Sequence, residues 1–115
     1  MSITESRPTT ESTELDSLRA AITDYTSVLL GTLVERTLTA KQIGDAKCAE
    51  GRTQVRDPER EAAVLDRMVA ENAEYPGSPL TEDQVRRFGQ LIMDIASEAQ
   101  VDHTGLQMGD ESPVA

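Results

Sequence analysis

The sequence predicts an all-α fold with three helices per chain, one of them very long, assembled as an intertwined helical homodimer. Large apolar residues recur at steps of three or four over an unusually long segment, and two shorter segments carry helix-start signals. The core residues are mainly Leu, Ile, Val, Ala and Met, which favour helices over sheets. A chain of 115 residues is one domain by size, and it buries only a modest core alone.

The longest predicted helix extends from about Leu15 to Ala49. Its stripe consists of Leu15, Leu18, Ile22, Tyr25, Leu29, Leu33, Arg36, Ala40, Ile43 and Lys47. Gly31 and Gly44 each weaken a helix by about 1 kcal/mol relative to Ala, but no turn cluster accompanies them. At the α-helical rise this helix would be about 50 Å long, beyond the ~30 Å of a small domain. We therefore expect a second copy of the chain to cover it.

Two shorter helices are predicted after polar loops. Asp57 and Pro58 indicate the N-cap and first turn of the second helix, which extends to about Asn72. Its apolar face comprises Val64, Leu65, Met68 and Val69. Thr81 indicates the N-cap of the third helix, which ends near Gln100. The expected inner face of that helix comprises Val85, Phe88, Ile92, Ala96 and Gln100.

The predicted domain organisation is one helical domain between two tails. Residues 1–13 are rich in Ser, Thr and Glu and predict a disordered leader. Residues 14–101 form the helical domain, and residues 102–115 predict a disordered acidic tail.

Charge and cysteine content exclude several classes of partner. The formal net charge of −10 argues against a nucleic-acid partner, because phosphate binding needs an excess of Lys and Arg. No apolar run approaches the roughly 20 residues that cross a membrane. A single cysteine, Cys48, and an N-terminus unlike a secretory signal predict a cytoplasmic protein. Neither Cys48 nor His103 has the neighbours of a metal or nucleophile site, so no metal and no cofactor is expected.

Polar residues at inward positions carry the functional signal. Arg36, Lys47, Glu61 and Gln100 point inward from three predicted helices, which indicates a polar cavity that binds an anion. Each cation could instead reach solvent or pair with a carboxylate such as Glu61. Arg19 precedes Arg36 by some 25 Å along the helix, so it could reach this cavity only from the partner of an antiparallel dimer.

The stretch from Gln54 to Met68 mixes both signs of charge. It is either a solvated helix face or one wall of the anion site. Glu61 belongs to the inward set described above, and four other charged residues of this stretch are expected to be solvated: Arg56, Glu59, Asp66 and Arg67.

The motifs in order are LRAAI, LVER, AKQIGDAK, VRDPEREAAVLDRM and FGQLIMDIASEAQ. Together they resemble the all-helical AroQ class of chorismate mutases, over Leu15 to Gln100. The shared pattern has Leu-Arg at the start of the long helix, Glu-Arg midway, a later Lys, Asp-x-x-Arg-Glu and a terminal Gln. In this chain the pattern falls on Arg19, Arg36, Lys47, Asp57, Arg60, Glu61 and Gln100.

The resemblance implies a role for each of these residues. Arg36, and Arg19 from the partner chain, would bind the substrate carboxylates, and Arg60 would help to hold that side of the pocket. Lys47 and Gln100 would flank the ether oxygen. The ring hydroxyl would bind Glu61 and the backbone of Asp57.

The implied reaction is the Claisen [3,3] rearrangement of chorismate to prephenate, in phenylalanine and tyrosine biosynthesis. It needs no nucleophile and no metal, only a shaped and charged pocket. Isochorismate pyruvate lyases and aminodeoxychorismate mutases resemble the same scaffold but usually lack the acidic residue at Glu61. A non-catalytic helical dimer that acts as an interaction module is a further alternative, and a second shikimate-pathway enzyme as partner stays open.

The chain departs from the family pattern at three places. Tyr25 and Thr26 replace a common Leu-Asp pair, Ala96 replaces a serine near the substrate carboxylate, and the loop before Asp57 is one residue longer than in short members.

Overall fold

The computed structural model of the chain describes residues 10–110. It contains three α-helices and two short strands, in the order α1 (Thr10–Ala49), β1 (Gln54–Arg56), α2 (Pro58–Ala73), α3 (Glu82–Thr104) and β2 (Gln107–Asp110). The prediction of an all-α chain with three helices, one of them very long, is confirmed. Among residues 10–110, no helix combines the length and the apolar composition that a membrane span requires.

Helix α1 crosses the boundary between two compact units, which lies between Val34 and Glu35. In the first unit the described chain is α1 alone, and its large apolar side chains are exposed. They are Leu15, Leu18, Ile22, Tyr25, Val28, Leu29, Leu30 and Val34. The predicted stripe explains only part of this surface, because Leu30 and Val34 lie about 100° around a 3.6-residue helix from the stripe residues Leu29 and Leu33. Helix α1 is therefore apolar on more than one face.

The second unit holds the core of the described chain, where α2 packs against α3. Its buried residues are Ala40, Gly44, Val55, Val85, Gly89, Met93, Ser97 and Gln100. The predicted apolar face of α2 is only half-buried along its length.

Local sequence sets the helix ends of this unit. The Asp57 side chain caps α2 by accepting a hydrogen bond from the Arg60 backbone N–H at 3.1 Å, and Pro58 occupies the first helical position, as predicted. Thr81 caps α3 and forms a reciprocal capping box with Gln84. Gly105 ends α3 with φ of 77°, a left-handed conformation that favours glycine.

The buried face of α3 differs in part from the predicted one, since Val85 and Gln100 are buried as predicted. Phe88 is half exposed, and the buried positions lie one residue further along, at Gly89, Met93 and Ser97. The cause is a close approach of α2: a Cβ atom on Gly89 would lie 2.6 Å from Leu65 Cδ2. Because Gly89 has no side chain, the face of α3 that contains Gly89 is the one that packs against α2.

Strands β1 and β2 form a parallel two-stranded sheet that the sequence analysis did not predict. Gln54 pairs with Gln107 and Arg56 with Asp110, with an irregularity between the two pairs. A strand of three or four residues is too short to show an alternating pattern.

The helix and strand ends also differ from the expected tails. Helix α1 begins at Thr10, inside the expected leader 1–13. Helix α3 continues to Thr104 and β2 follows, so residues 102–104 and 107–110 have regular structure inside the expected tail 102–115. The pairing with β1 is a long-range contact, which composition alone does not predict. The remainder of both expected tails, 1–9 and 111–115, lies outside the described residues.

Candidate active site

Lys47, in the last turn of α1, is fixed by two acceptors from distant parts of the second unit. Its ammonium donates hydrogen bonds to the Val55 carbonyl oxygen of β1 and, at 3.1 Å, to Gln100 Oε1 of α3. The side chain is partly buried, and two acceptors reduce the cost of placing a cation there. The structure therefore brings together Lys47 and Gln100, which the sequence predicts to point inward from two different helices.

Gln100 is the most buried polar residue of this group, with 6% of its surface exposed. Because its carbonyl oxygen accepts from Lys47, its Nε2 group is the part of the amide that can donate to a ligand. Thr104, one turn later, donates its hydroxyl to the Gln100 backbone oxygen at 2.6 Å. The position of Gln100 is thus set by side-chain and backbone contacts together.

Gly44 lets α1 approach α3 closely beside Gln100. A Cβ atom at Gly44 would lie 3.0 Å from Thr104 Cγ2 and 3.3 Å from Gln100 Cγ. This contact explains why a residue that weakens a helix lies one turn before Lys47.

Replacing Gly44 by alanine should therefore displace Gln100 more than it disturbs the helix. We expect kcat in the assay proposed below to fall about ten-fold, because a donor displaced by a fraction of an ångström stabilises the transition state less. The helical circular-dichroism signal should be unchanged, since alanine favours helices. Cys48→Ala is the control: this exposed side chain lies one turn away and its loss should leave kcat unchanged. A Gly44→Ala protein with full activity would contradict this role of the close approach.

Arg36 is partly buried and lies across from the middle of α3. Its Nη1 donates a hydrogen bond to the Ile92 carbonyl oxygen at 2.9 Å. A guanidinium has five N–H donors, and this bond uses one. The contact holds the planar group in place, so that other donors can serve an anion.

Asp57 and Arg60 occupy the start of α2. The Asp57 carboxylate is engaged as the helix cap, and its backbone oxygen accepts from the Glu61 N–H at 2.9 Å. The Arg60 side chain is exposed. Glu61 is partly buried one position further along the helix. The Asp-x-x-Arg-Glu motif thus combines a structural cap with one inward carboxylate.

Arg56 is the main correction to the predicted surface. It was expected to be solvated, but only 19% of its side chain is exposed, and it forms a two-point ion pair with Glu61. Nε lies 2.9 Å from Glu61 Oε2, and Nη2 lies 2.6 Å from Oε1. Nη2 also contacts Asp94 Oδ1 at 3.0 Å.

The charges of this cluster stabilise each other. The pKa of Arg56 is raised, first by its hydrogen bonds to Glu61 and then by Asp94, so it stays a cation. The pKa of Asp94 is lowered by a hydrogen bond from Gln90 and by Arg56. Glu59, Asp66 and Arg67 are exposed, as predicted.

Sequence reasoning missed three of the groups that meet here. The Val55 carbonyl and the Arg56 side chain belong to a strand in a segment that the sequence predicts to be a loop, and Asp94 is not among the predicted site residues. The sequence signal for Asp94 is weak: Asp94 follows Gln90 by four residues, a spacing at which two helical side chains can form a hydrogen bond, as they do here.

The side chains of three further candidates are exposed. Arg19 is exposed in the first unit, where its backbone oxygen accepts from Thr23 at 3.0 Å. The Cys48 side chain is exposed. His103 is exposed, and its Nε2 lies 2.9 Å from Asp45 Oδ1.

Comparison with known proteins gives one finding. The family model described as chorismate mutase type II matches residues 18–101, well over half of the chain. The match includes every residue that the sequence analysis assigned to the site, from Arg19 to Gln100. No curated protein and no solved structure matches the sequence.

Proposed function

Because the chain belongs to the chorismate mutase type II family, a family of isomerases, we propose that it converts chorismate to prephenate in the cytoplasm, on the branch toward phenylalanine and tyrosine. The observation that carries the proposal is the partly buried pair of Lys47 and Gln100, joined at 3.1 Å. A cation and a neutral amide held side by side are suited to an oxygen that gains negative charge during a reaction.

The proposed mechanism uses shape and charge. The enolpyruvyl arm of chorismate must fold over the ring, and a pocket that holds this conformer removes an entropic part of the barrier. As the C–O bond breaks ahead of C–C bond formation, negative charge grows on the ether oxygen. Lys47 Nζ and Gln100 Nε2 then donate hydrogen bonds to that oxygen. No protein atom is covalently modified, and no proton needs to be transferred.

The two carboxylates of chorismate require cations at both ends of the pocket. We assign Arg36 to one of them and Arg19 of the partner subunit to the other, with Arg60 near the carboxylate side. Glu61 and the backbone of Asp57 bind the ring hydroxyl, where an acidic acceptor favours chorismate. A guanidinium matches the planar, two-oxygen geometry of a carboxylate.

The homodimer is part of this proposal. In the described chain the first unit exposes a nearly continuous set of large apolar side chains along α1. Soluble monomers seldom expose patches of that extent, and a helix that is apolar on several faces is normally buried on several sides. A second copy of the chain is the simplest cover, since it also supplies Arg19.

The decisive experiment is a direct assay on the purified protein. Chorismate should be consumed and prephenate formed in a 1:1 ratio, without added metal or nucleotide. Release of pyruvate from isochorismate, with chorismate left untouched, would instead support the lyase alternative. Turnover of aminodeoxychorismate alone would support the aminodeoxychorismate mutase alternative. Absence of all three activities in a folded dimer would leave the interaction module as the remaining function.

A further inference from the structure

We propose that Arg56 is a positioning residue that sets the orientation and the charge balance of Glu61, and thereby the preference for a ring hydroxyl over a ring ammonium. The inference rests on the proposed function and extends it to a residue outside the motif pattern. Arg56 acts through Glu61 and is not assigned a contact with the substrate.

The geometry of the pair fixes the direction of the carboxylate. Arg56 uses Nε and Nη2, at 2.9 and 2.6 Å, to hold the two oxygens of Glu61 separately. A fork of this kind fixes the plane of the carboxylate, whereas a lysine would act as a single point charge. Each carboxylate oxygen keeps a further lone pair, so Glu61 can still accept a hydrogen bond from a hydroxyl group.

The fork is itself anchored from a third element. Asp94 of α3 accepts from Arg56 Nη2 at 3.0 Å, and Gln90 Nε2 donates to the same Asp94 oxygen at 3.0 Å. Strand β1, helix α2 and helix α3 thus meet at one guanidinium. The Arg56 and Glu61 side chains are each 19% exposed, so solvent screens the pair less than it screens a surface ion pair.

The charge balance of this cluster bears on substrate choice. Two carboxylates, Glu61 and Asp94, share one cation, Arg56. With Arg56 present, the negative charge of Glu61 is already paired with a cation. A neutral hydroxyl group is then a better ligand for Glu61 than an ammonium group. Without Arg56, two neighbouring carboxylates would attract a positive group. An amine in place of the ring hydroxyl is protonated at neutral pH and would supply it.

A structural role of Arg56 has a different signature. Val55, the neighbour of Arg56 in β1, holds Lys47 through its carbonyl oxygen. A substitution that merely moved β1 would displace Lys47 and slow both substrates alike. The ratio of kcat/KM for the two substrates therefore separates positioning of Glu61 from general damage to the site.

The experiment compares chorismate with aminodeoxychorismate in the full chain. The wild type is compared with four variants: Arg56→Met, Arg56→Lys, Glu61→Gln and the double variant Arg56→Met/Glu61→Gln. Arg67→Met is the matched control, because this arginine is 79% exposed and pairs only weakly with Glu71, at 3.5 Å. Its kinetic constants should equal those of the wild type.

Three results are expected. Arg56→Met should lower kcat/KM for chorismate by about 10- to 100-fold, the range for a lost hydrogen bond to a charged group. The same change should raise the aminodeoxychorismate-to-chorismate ratio by about ten-fold or more, and Arg56→Lys should recover part of both effects. Adding Arg56→Met to Glu61→Gln should cause little further loss, because residues that act as a unit are not additive.

Two results would overturn the inference while leaving the proposed function intact. Both presuppose a wild type that is active on chorismate. In the first, the losses from Arg56→Met and Glu61→Gln add up in the double variant. In the second, Arg56→Met leaves the aminodeoxychorismate-to-chorismate ratio of kcat/KM unchanged. A folded wild type without any activity on chorismate would instead overturn the proposed function, and this inference with it.

Discussion

Lys47→Ala is expected to lower kcat for chorismate by at least 10²- to 10³-fold, the loss typical of removing one preorganised donor from a developing negative charge. The effect should fall mainly on kcat, since the charge on the ether oxygen is far larger in the transition state than in bound chorismate. Steady-state kinetics at saturating chorismate measure the loss directly.

Two controls accompany this substitution. Lys41→Ala removes the same charge from the same helix, outside the contacts of Val55 and Gln100, and should retain activity. Circular dichroism should show unchanged helicity in both variants, because alanine favours helices. A Lys47→Ala protein as active as the wild type would contradict the proposed mechanism, whatever its stability.

Mixing two inactive variants is expected to restore activity if Arg19 serves the partner's site. Arg19→Ala and Lys47→Ala homodimers should each be nearly inactive. In a mixed dimer, one site combines both defects and the other combines neither. With random exchange, half the dimers are mixed and half of their sites are intact, so about one quarter of wild-type activity should return.

The apolar surface of α1 provides the control for this experiment. Ile22 is 64% exposed in the described chain, and a second copy is proposed to cover it. Adding Ile22→Glu to both chains should prevent mixed dimers and abolish the recovery, because a charge would have to be buried. Ser17→Glu adds the same charge at an exposed polar residue about 140° around α1 from Ile22, and it should leave the recovery intact. Mixing without recovery, in proteins that sedimentation shows to be dimers, would refute the role of Arg19 in the partner's site.

The helical plan of the chain was predictable because its signals are local. Asp57 with Pro58 and Thr81 mark helix starts through interactions within one turn, and the structure has both caps. The long apolar stripe of α1 likewise follows from spacing alone. The middle of the inner face of α3 was not predictable, since it depends on how closely α2 approaches Gly89.

The site was predictable only where its residues interrupt a helical stripe. Lys47 and Gln100 stand at inward positions of helices, and the structure joins them. Arg56 gave no such signal, because it lies in a three-residue strand beside a charged helix start. Its partners, Glu61 and Asp94, follow it by 5 and 38 positions and come from two different helices.

The sequence by itself therefore determined the number of helices, the starts of α2 and α3, and the inward polar residues Arg36, Lys47, Glu61 and Gln100. These features depend on contacts within a few residues or on helical periodicity. Only the tertiary structure decided that the Val55 carbonyl fixes Lys47. It also decided that Arg56 is a partly buried partner of Glu61 and not the solvated side chain that the sequence predicts. The physical reason is that these hydrogen bonds join different elements, and their geometry depends on strand pairing and helix packing even where the residues are only 8 or 5 positions apart, which no local pattern encodes.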